Sequence, residues 1–329
     1  MNEIVLLTGA TGKIGGNMAQ DLLRRGYGLR IMAMPNDPQA DRLKRFSDVA
    51  EIVAGDLADA ESLQAAVQGV DAVIHLASIG HAASSDHAFF EADVLGAYRL
   101  LQAAAGARPG IRRFVTASSY TVYGKPRYLP TDEECPREPT STLGLVKLTC
   151  ETLCQASWRM HGLPTVAMRF TWVNAGPDVV GAFRAGALRR RLRPELREQF
   201  SAQIPDEDAL VAITDNEGHP WTLHVVDVRD VVQCLIRGLE SEGAPGHAFN
   251  VAAPSAVSLV DGARYLAQTL DQPLVEIRVP QLEQEEISTA KARDLIGYQP
   301  EYDFRRMADS AIAYGRGEDI GVIYGTWPR

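Results

Sequence analysis

Two groups of residues in this sequence combine types and spacings that suit chemistry. Gly9-x-x-Gly12-x-x-Gly15 follows directly on Ile4-Val5-Leu6-Leu7-Thr8. Glycines spaced this way allow a tight turn, let backbone N–H groups approach a pyrophosphate, and let the next helix pack closely on the strand. The phosphates then face the positive end of that helix. A bare structural turn is the alternative reading. The second group is a crowd of hydroxyls, Ser118, Ser119, Tyr120, Thr121 and Tyr123, just after the apolar run Phe114-Val115. Hydroxyls at the carboxyl end of a parallel strand face the crevice where open α/β sheets bind ligands.

The flanking sequence supplies elements to hold both groups. Four apolar residues without a charge, Ile4 to Leu7, predict a strand buried on both faces. Ile14, Met18, Leu22 and Leu23 recur at helical spacing behind the glycine turn. Further strands are predicted at 28–34, 51–54, 71–78, 113–117 and 165–170, with helices over 61–67, about 87–105 and 143–160 between them. Leu223 to Val228 and Ala248 to Val251 read as later core elements. This alternation predicts a doubly wound parallel sheet. The stretch of about 176–221 is rich in Arg, Pro and Gly and reads as an insertion forming a second lobe with the region from about 255 onward. The expected organisation is 1–175 with about 222–254 as the sheet domain, and about 176–221 with 255–329 as a smaller lobe.

Within this frame the third strand runs into Gly55-Asp56-Leu57, where Asp56 is either a turn residue or an acceptor for an adenine amine. The fourth strand ends in His75-Leu76-Ala77-Ser78, and its end is expected to line the same cleft. His75, among apolar neighbours, reads as a satisfied core histidine. The second strand ends at Met34-Pro35, offering neither the acid that selects NAD nor the base that selects NADP. Asn36 or Asp37 is placed to reach a ribose, and Lys13 to meet a 2′-phosphate, so cofactor choice stays open.

Composition narrows the function classes. A chain of 329 residues can bury a large core, and its net charge of −9 argues against wholesale nucleic-acid binding. The basic cluster from Arg184 to Arg197 reads as a solvated helix face. No apolar run approaches membrane-spanning length, and the first strand begins too near Met1 for a signal peptide, so a cytoplasmic location is expected. The four cysteines, Cys135, Cys150, Cys154 and Cys234, lack metal-ligand spacing and read as reduced, and no metal site is expected.

Taken together, the chain resembles the extended short-chain dehydrogenase/reductase superfamily, the NAD-dependent epimerases and dehydratases. The resemblance rests on Thr8-Gly9-Ala10-Thr11-Gly12-Lys13-Ile14-Gly15, Gly55-Asp56-Leu57, His75-Leu76-Ala77, Asp93 to Ala97, Ser118 to Gly124, Arg169 through Pro177, His224 to Val228 and Phe249 to Ala252. It implies a Rossmann-type fold with a C-terminal substrate-binding lobe and an NAD or NADP cofactor. Gly9, Thr11, Gly12, Lys13, Ile14, Gly15, Asp56, Leu57, Leu76 and Ala77 are then expected to bind the dinucleotide. It further implies that Ser119 polarises the reacting oxygen and that Lys147 holds the nicotinamide ribose. A homodimer through the 87–105 and 143–160 helices is implied as well.

The sequence departs from this pattern at the residue that moves the proton. The family's tyrosine stands four residues before the lysine, and that residue here is Leu143. Leucine cannot exchange a proton, and a serine alone is too weak an acid to replace tyrosine. Tyr120, next to Ser119, is the favoured substitute acid/base; packing under the cofactor is the alternative. Asp93 stands where Asn is usual, and Trp172 and Asn174 break the nucleotide-sugar pattern. A smaller organic metabolite is therefore expected, contacted by Ser78, His81, Ser119, Tyr120, Trp172 and Asn174. Two other readings fit the same residues. One is a step without net hydride transfer, with His81, Asp86 or Tyr120 as proton shuttles. The other is a dinucleotide-responsive regulator that has lost catalysis.

Overall fold

The computed structural model describes residues 3–79, 85–108, 110–192, 194–204, 206–280, 282 and 284–324. Seven strands form one sheet: β1 (Ile4–Thr8), β2 (Gly28–Ala33), β3 (Glu51–Ala54), β4 (Ala72–His75), β5 (Arg113–Ser119), β6 (Thr165–Phe170) and a late strand, Ala248–Val251. Running from the late strand, the order is late strand, β6, β5, β4, β1, β2, β3. Every pairing is parallel. The sequence path therefore runs outward from β1 in one direction and then returns to build the other half. That reversal opens a crevice at the carboxyl ends of β1 and β4.

Register levels those ends. Thr8 pairs with His75, and His75 with Thr116. Gly9 and Leu76 thus leave the sheet side by side, level with Ala117 of β5, which continues two residues further. The sheet is covered on one face by the Lys13–Arg24 and Val228–Glu240 helices, whose Met18, Leu22, Val231 and Leu235 bury against Val5, Leu7 and Ile74. On the other face Leu63, Val67, Leu100 and Leu101 pack on Leu6, Val73 and Phe114. Both faces being covered explains why the strands are apolar without alternation.

Residues 171–227 depart from the sheet. β7 (Trp172–Asn174) pairs with β10 (Val225–Asp227), β8 (Leu210–Asp215) with β13 (Leu274–Val279), and β9 (Thr222–Leu223) with β12 (Val257–Ser258); in this numbering the late strand of the main sheet is β11. The stretch Leu223 to Val228, expected as one core element, is thus split at His224 into two short strands outside the main sheet. His224 is held there by two hydrogen bonds, Nε2 to the Ala253 carbonyl and Nδ1 from the Ile287 N–H, each 2.9 Å. A second apolar core gathers Phe183, Phe200, Val211, Trp221, Leu259 and Phe304. β8 falls in the stretch that reads as poor in strands, because its partner β13 is remote in sequence.

The helix expected over about 87–105 is composite. An α-turn, Asp86–Phe90, passes into a π-helical turn, Glu91–Leu95, and then into the Gly96–Gly106 helix. Among the described residues no helix is long and apolar enough to cross a membrane. All four cysteines are buried and unpaired.

Candidate active site

The glycine turn is fixed by contacts too close for any side chain. A Cβ on Gly15 would lie 2.0 Å from the Gly9 carbonyl oxygen and 2.8 Å from the Ala10 Cα. Gly9 itself has φ +77°, and a Cβ there would meet the backbone of Leu76 and Ala77 at 2.7 Å. The end of β4 therefore crosses directly over the turn. Thr8 Oγ1 ties the two together by accepting the N–H groups of Leu76 and Ala77, each at 3.2 Å.

A cleft of about 710 Å³ opens from this turn along the carboxyl ends of the strands. Gly9, Thr11, Gly12, Lys13, Ile14, Gly15, Asp56, Leu57, Leu76, Ala77 and Ser78, all singled out from the sequence, line it. At the β2 end the cleft also takes in Met32, Met34 and Asp37. Asp37 is held in place: its Oδ2 accepts the Thr11 hydroxyl at 2.9 Å, and its Oδ1 the Gln39 N–H at 2.8 Å. Lys13 reaches the other way, pairing with Asp178 and donating to the Val173 carbonyl at 3.1 Å. The ammonium expected near a ribose phosphate is thus committed to the border of the second core.

At its other end the cleft reaches Ser78, Ile79 and Asp93. Asp93, on the π-turn, accepts the Ser78 hydroxyl, the Ile79 N–H at 3.0 Å and the Lys147 ammonium at 3.2 Å. The wider π-turn departs from the regular helix expected here, and it carries the Asp93 carboxylate. Leu143, one turn before Lys147, packs with Phe89, Val94 and Val146. The side of Lys147 where a proton donor would stand is apolar. His75 is buried with Nδ1 2.8 Å from Thr8 Oγ1. Burial, reinforced by the Lys147 charge, pushes its imidazole down to about 4, so it stays neutral.

The hydroxyl-rich segment after β5 is braced from below. Arg169 on β6 makes a bidentate contact with Glu151, Nε to Oε1 at 2.9 Å and Nη2 to Oε2 at 2.8 Å, and donates to Tyr123 Oη at 2.7 Å. The Tyr123 hydroxyl in turn donates to Asn250 Oδ1 at 2.7 Å, and the Ser118 hydroxyl donates to Glu151 Oε1. Burial opposes the charge on Arg169, but Glu151 outweighs it and holds the guanidinium above its ordinary value.

Above this brace, Ser119 Oγ accepts the Thr121 N–H at 3.2 Å and the Thr121 hydroxyl at 2.9 Å, leaving its own proton to donate. Tyr120 turns toward the second core. Its hydroxyl donates to Glu285 at 2.9 Å, and its ring stands 6.0 Å from that of Trp172. The Trp172 indole N–H donates to the other Glu285 oxygen at 2.9 Å. Burial, and then the Glu285 charge, raises the Tyr120 hydroxyl well above the ordinary tyrosine range. A free phenolate at Tyr120 is therefore disfavoured. Burial likewise raises the Glu285 carboxyl.

Asn174 is buried, its amide donating to the Trp172 carbonyl at 3.0 Å. It does not line the cleft. Asp86 is exposed at the start of its helix, and His81 lies outside the described residues. Glu285 and Arg191 carry no signal in the sequence. Glu285 sits in a charged tract without periodicity, and Arg191 among arginines that read as a solvated face.

A doubly wound parallel sheet with a phosphate-sized glycine cradle at its switch point is an architecture of dinucleotide enzymes. The profile of the NAD dependent epimerase/dehydratase family matches residues 5–252, and the chain belongs to that family. It is 24% identical over 330 residues to a UDP-glucose 4-epimerase of Rhizobium meliloti (strain 1021), covering 94% of this chain and 96% of the relative. It is 25% identical over 327 residues to a dTDP-glucose 4,6-dehydratase of Streptomyces niveus, covering 91% and 89%. A short-chain dehydrogenase/reductase superfamily protein from Agrobacterium tumefaciens, solved with bound NAD, superposes with a TM-score of 0.84 at 26% identity, covering 96% of this chain and 98% of its own. The UDP-glucose 4-epimerase of Thermotoga maritima shares the fold, with a TM-score of 0.74 at 18% identity over 95% of this chain and 99% of its own.

Proposed function

We propose that this chain is an NAD-dependent enzyme acting at a hydroxyl or carbonyl carbon of a small organic metabolite. The observation that carries this reading is the continuous cleft from Asp37, past the Gly9–Gly15 turn, to Asp93 and its partner Lys147. Gly9 and Gly15 are required by backbone contacts within the turn, and the turn so packed lines the cleft where a pyrophosphate would meet the N-terminus of the following helix. Asp37 at the β2 end suits a ribose 2′-hydroxyl and repels a 2′-phosphate, which favours NAD over NADP. The NAD-bound Agrobacterium tumefaciens neighbour supports the same choice. The glycine turn, Asp56 and Lys147 would hold the dinucleotide, which when bound would supply a hydride acceptor or donor.

The protein's own part in the chemistry falls to three groups. Ser119 donates its hydrogen bond to the reacting oxygen. Lys147, balanced by Asp93, holds the ribose. Tyr120 and Glu285 form the acid/base as a pair. When Tyr120 accepts a proton from substrate it hands its own to Glu285, so no free phenolate builds up. Burial raises the Glu285 carboxyl, which increases its affinity for that proton.

The apolar residues Leu95, Tyr98 and Leu145, 40%, 46% and 50% exposed, lie on the two helices expected to pair copies of the chain, and they support a homodimer.

The test is a titration of the protein with NAD+, NADH, NADP+ and NADPH. NAD+ is expected to bind at least ten-fold more tightly than NADP+, and Asp37→Ala to narrow that ratio. Failure of all four to bind overturns the reading.

A further inference from the structure

Four side chains from separate segments meet beyond the carboxyl end of β5: Tyr120, Trp172, Glu285, and Arg191 at the end of the Ala185–Arg191 helix. Both Glu285 oxygens are already taken, one by the Tyr120 hydroxyl and one by the Trp172 N–H. Arg191 stacks over the Trp172 ring, with Cζ 4.4 Å from its centre. Its Nη1 is fully buried and has no hydrogen-bond partner among the described residues. No Arg191–Glu285 contact reaches ion-pair distance, although the two charges are close enough to influence each other.

An unmet guanidinium donor in a buried setting carries a desolvation penalty that a bound anion would relieve. Stacking on the indole orients the guanidinium fork, and a planar fork matches the two oxygens of a carboxylate. Glu285 nearby is acidic and opposes a second anion when ionised, so a singly charged group is tolerated there better than a doubly charged phosphate.

We infer that Arg191 is the anion-recognition residue of the substrate site, and that the substrate is a hydroxy or oxo acid whose carboxylate rests on Arg191 beside Trp172. The inference rests on the proposed function, because it assigns the oxidisable carbon of the same molecule to Ser119 and Tyr120. It turns the end of a basic helix, part of a cluster that reads as solvated, into a determinant of specificity.

The experiment is isothermal titration of the full chain saturated with NAD+. The probes are glycerate, gluconate and galacturonate, beside the neutral glycerol, glucitol and galactose and the phosphate ester glycerol 3-phosphate. At least one acid is expected to bind while its neutral counterpart does not. Arg191→Gln should weaken that acid ten- to hundred-fold with NAD+ affinity unchanged, and Arg191→Lys should restore only part, having the charge without the fork. Equal binding of the neutral counterpart, preference for the phosphate ester, full affinity in Arg191→Gln, or binding of none of the acids by the NAD+-loaded protein overturns the inference. Failure to bind NAD+ is a separate outcome, which removes the proposed function itself. Unchanged NAD+ affinity in both variants shows that the chain has folded.

Discussion

Lys147 Nζ lies 3.2 Å from Asp93 Oδ2, and the two side chains are only 12% and 3% exposed. A carboxylate so placed neutralises the lysine charge at the end of the cleft. Removing one member of a buried pair strands the other, at about 3–5 kcal/mol. Asp93→Ala is expected to lose stability on that scale in urea denaturation. The conservative Asp93→Asn should fold and bind NADH better relative to NAD+, by about ten-fold, since an uncompensated ammonium disfavours the cationic ring. The ratio of the two dissociation constants checks it.

The Gly15 contact makes a sharper prediction. Alanine there drives a methyl into the Gly9 carbonyl, and neither partner is a movable side chain. Gly15→Ala is expected to lose dinucleotide binding and about 1–3 kcal/mol or more of stability. Gly106, at the end of its helix, is the control, because an added methyl there meets nothing within 4 Å. Gly106→Ala should be neutral or stabilise by about 0.5–1 kcal/mol. Thermal melts with and without NAD+ separate the two.

The strands of the main sheet, the glycine turn and the cleft residues from Gly9 to Ser78 are legible because each is a local pattern: an apolar run, a spacing, a turn. Asp37 was legible as one of two candidates, and the Thr11 hydroxyl shows why its carboxylate is the one held at the cleft. What could not be read depends on remote pairing. β8 needs β13, Tyr120 needs Glu285 some 165 positions away, and Arg191 is set apart from its neighbours only by Trp172. The π-turn at Glu91–Leu95 leaves no mark in hydrophobic spacing, yet it carries Asp93.

His224 gives the fold a pH dependence. Its Nδ1 accepts the Ile287 N–H while Nε2 donates to the Ala253 carbonyl, an arrangement open only to the neutral ring. Burial pushes its folded value down to about 4 from an ordinary value near 6.5. The unfolded chain therefore takes up the proton first as pH falls. The contribution is fully present above about 6.5 and is lost toward pH 4, at about 1.4 kcal/mol per pH unit. His224→Gln should lower stability at pH 7.5, with the gap to the parent closing as pH falls through this window. Urea midpoints at four or five pH values provide the check.

The exposed Leu145 and Tyr98 predict self-association. Placing a charge in an apolar contact between copies leaves it desolvated. Leu145→Glu is therefore expected to convert a dimer to a monomer with NAD+ affinity changed less than three-fold. Light scattering coupled to size exclusion distinguishes the species, and a parent chain that is already monomeric rejects the interface.

Tyr120→Phe isolates the acid/base pair because it keeps the ring on Trp172 and removes only the hydroxyl. Glu285 then loses a donor that favours its charged form, and its carboxyl, already raised by burial, rises further. The destabilisation is expected to be about 1.5–3 kcal/mol where Glu285 is ionised. It should shrink as pH falls through the variant's raised value, because a protonated carboxyl no longer needs the donor. If the pair also moves the substrate proton, turnover falls by about 10²- to 10⁴-fold with NAD+ affinity intact. A variant that loses stability in this pH-dependent way yet keeps full turnover would leave Tyr120 as a positioning residue and move the proton elsewhere.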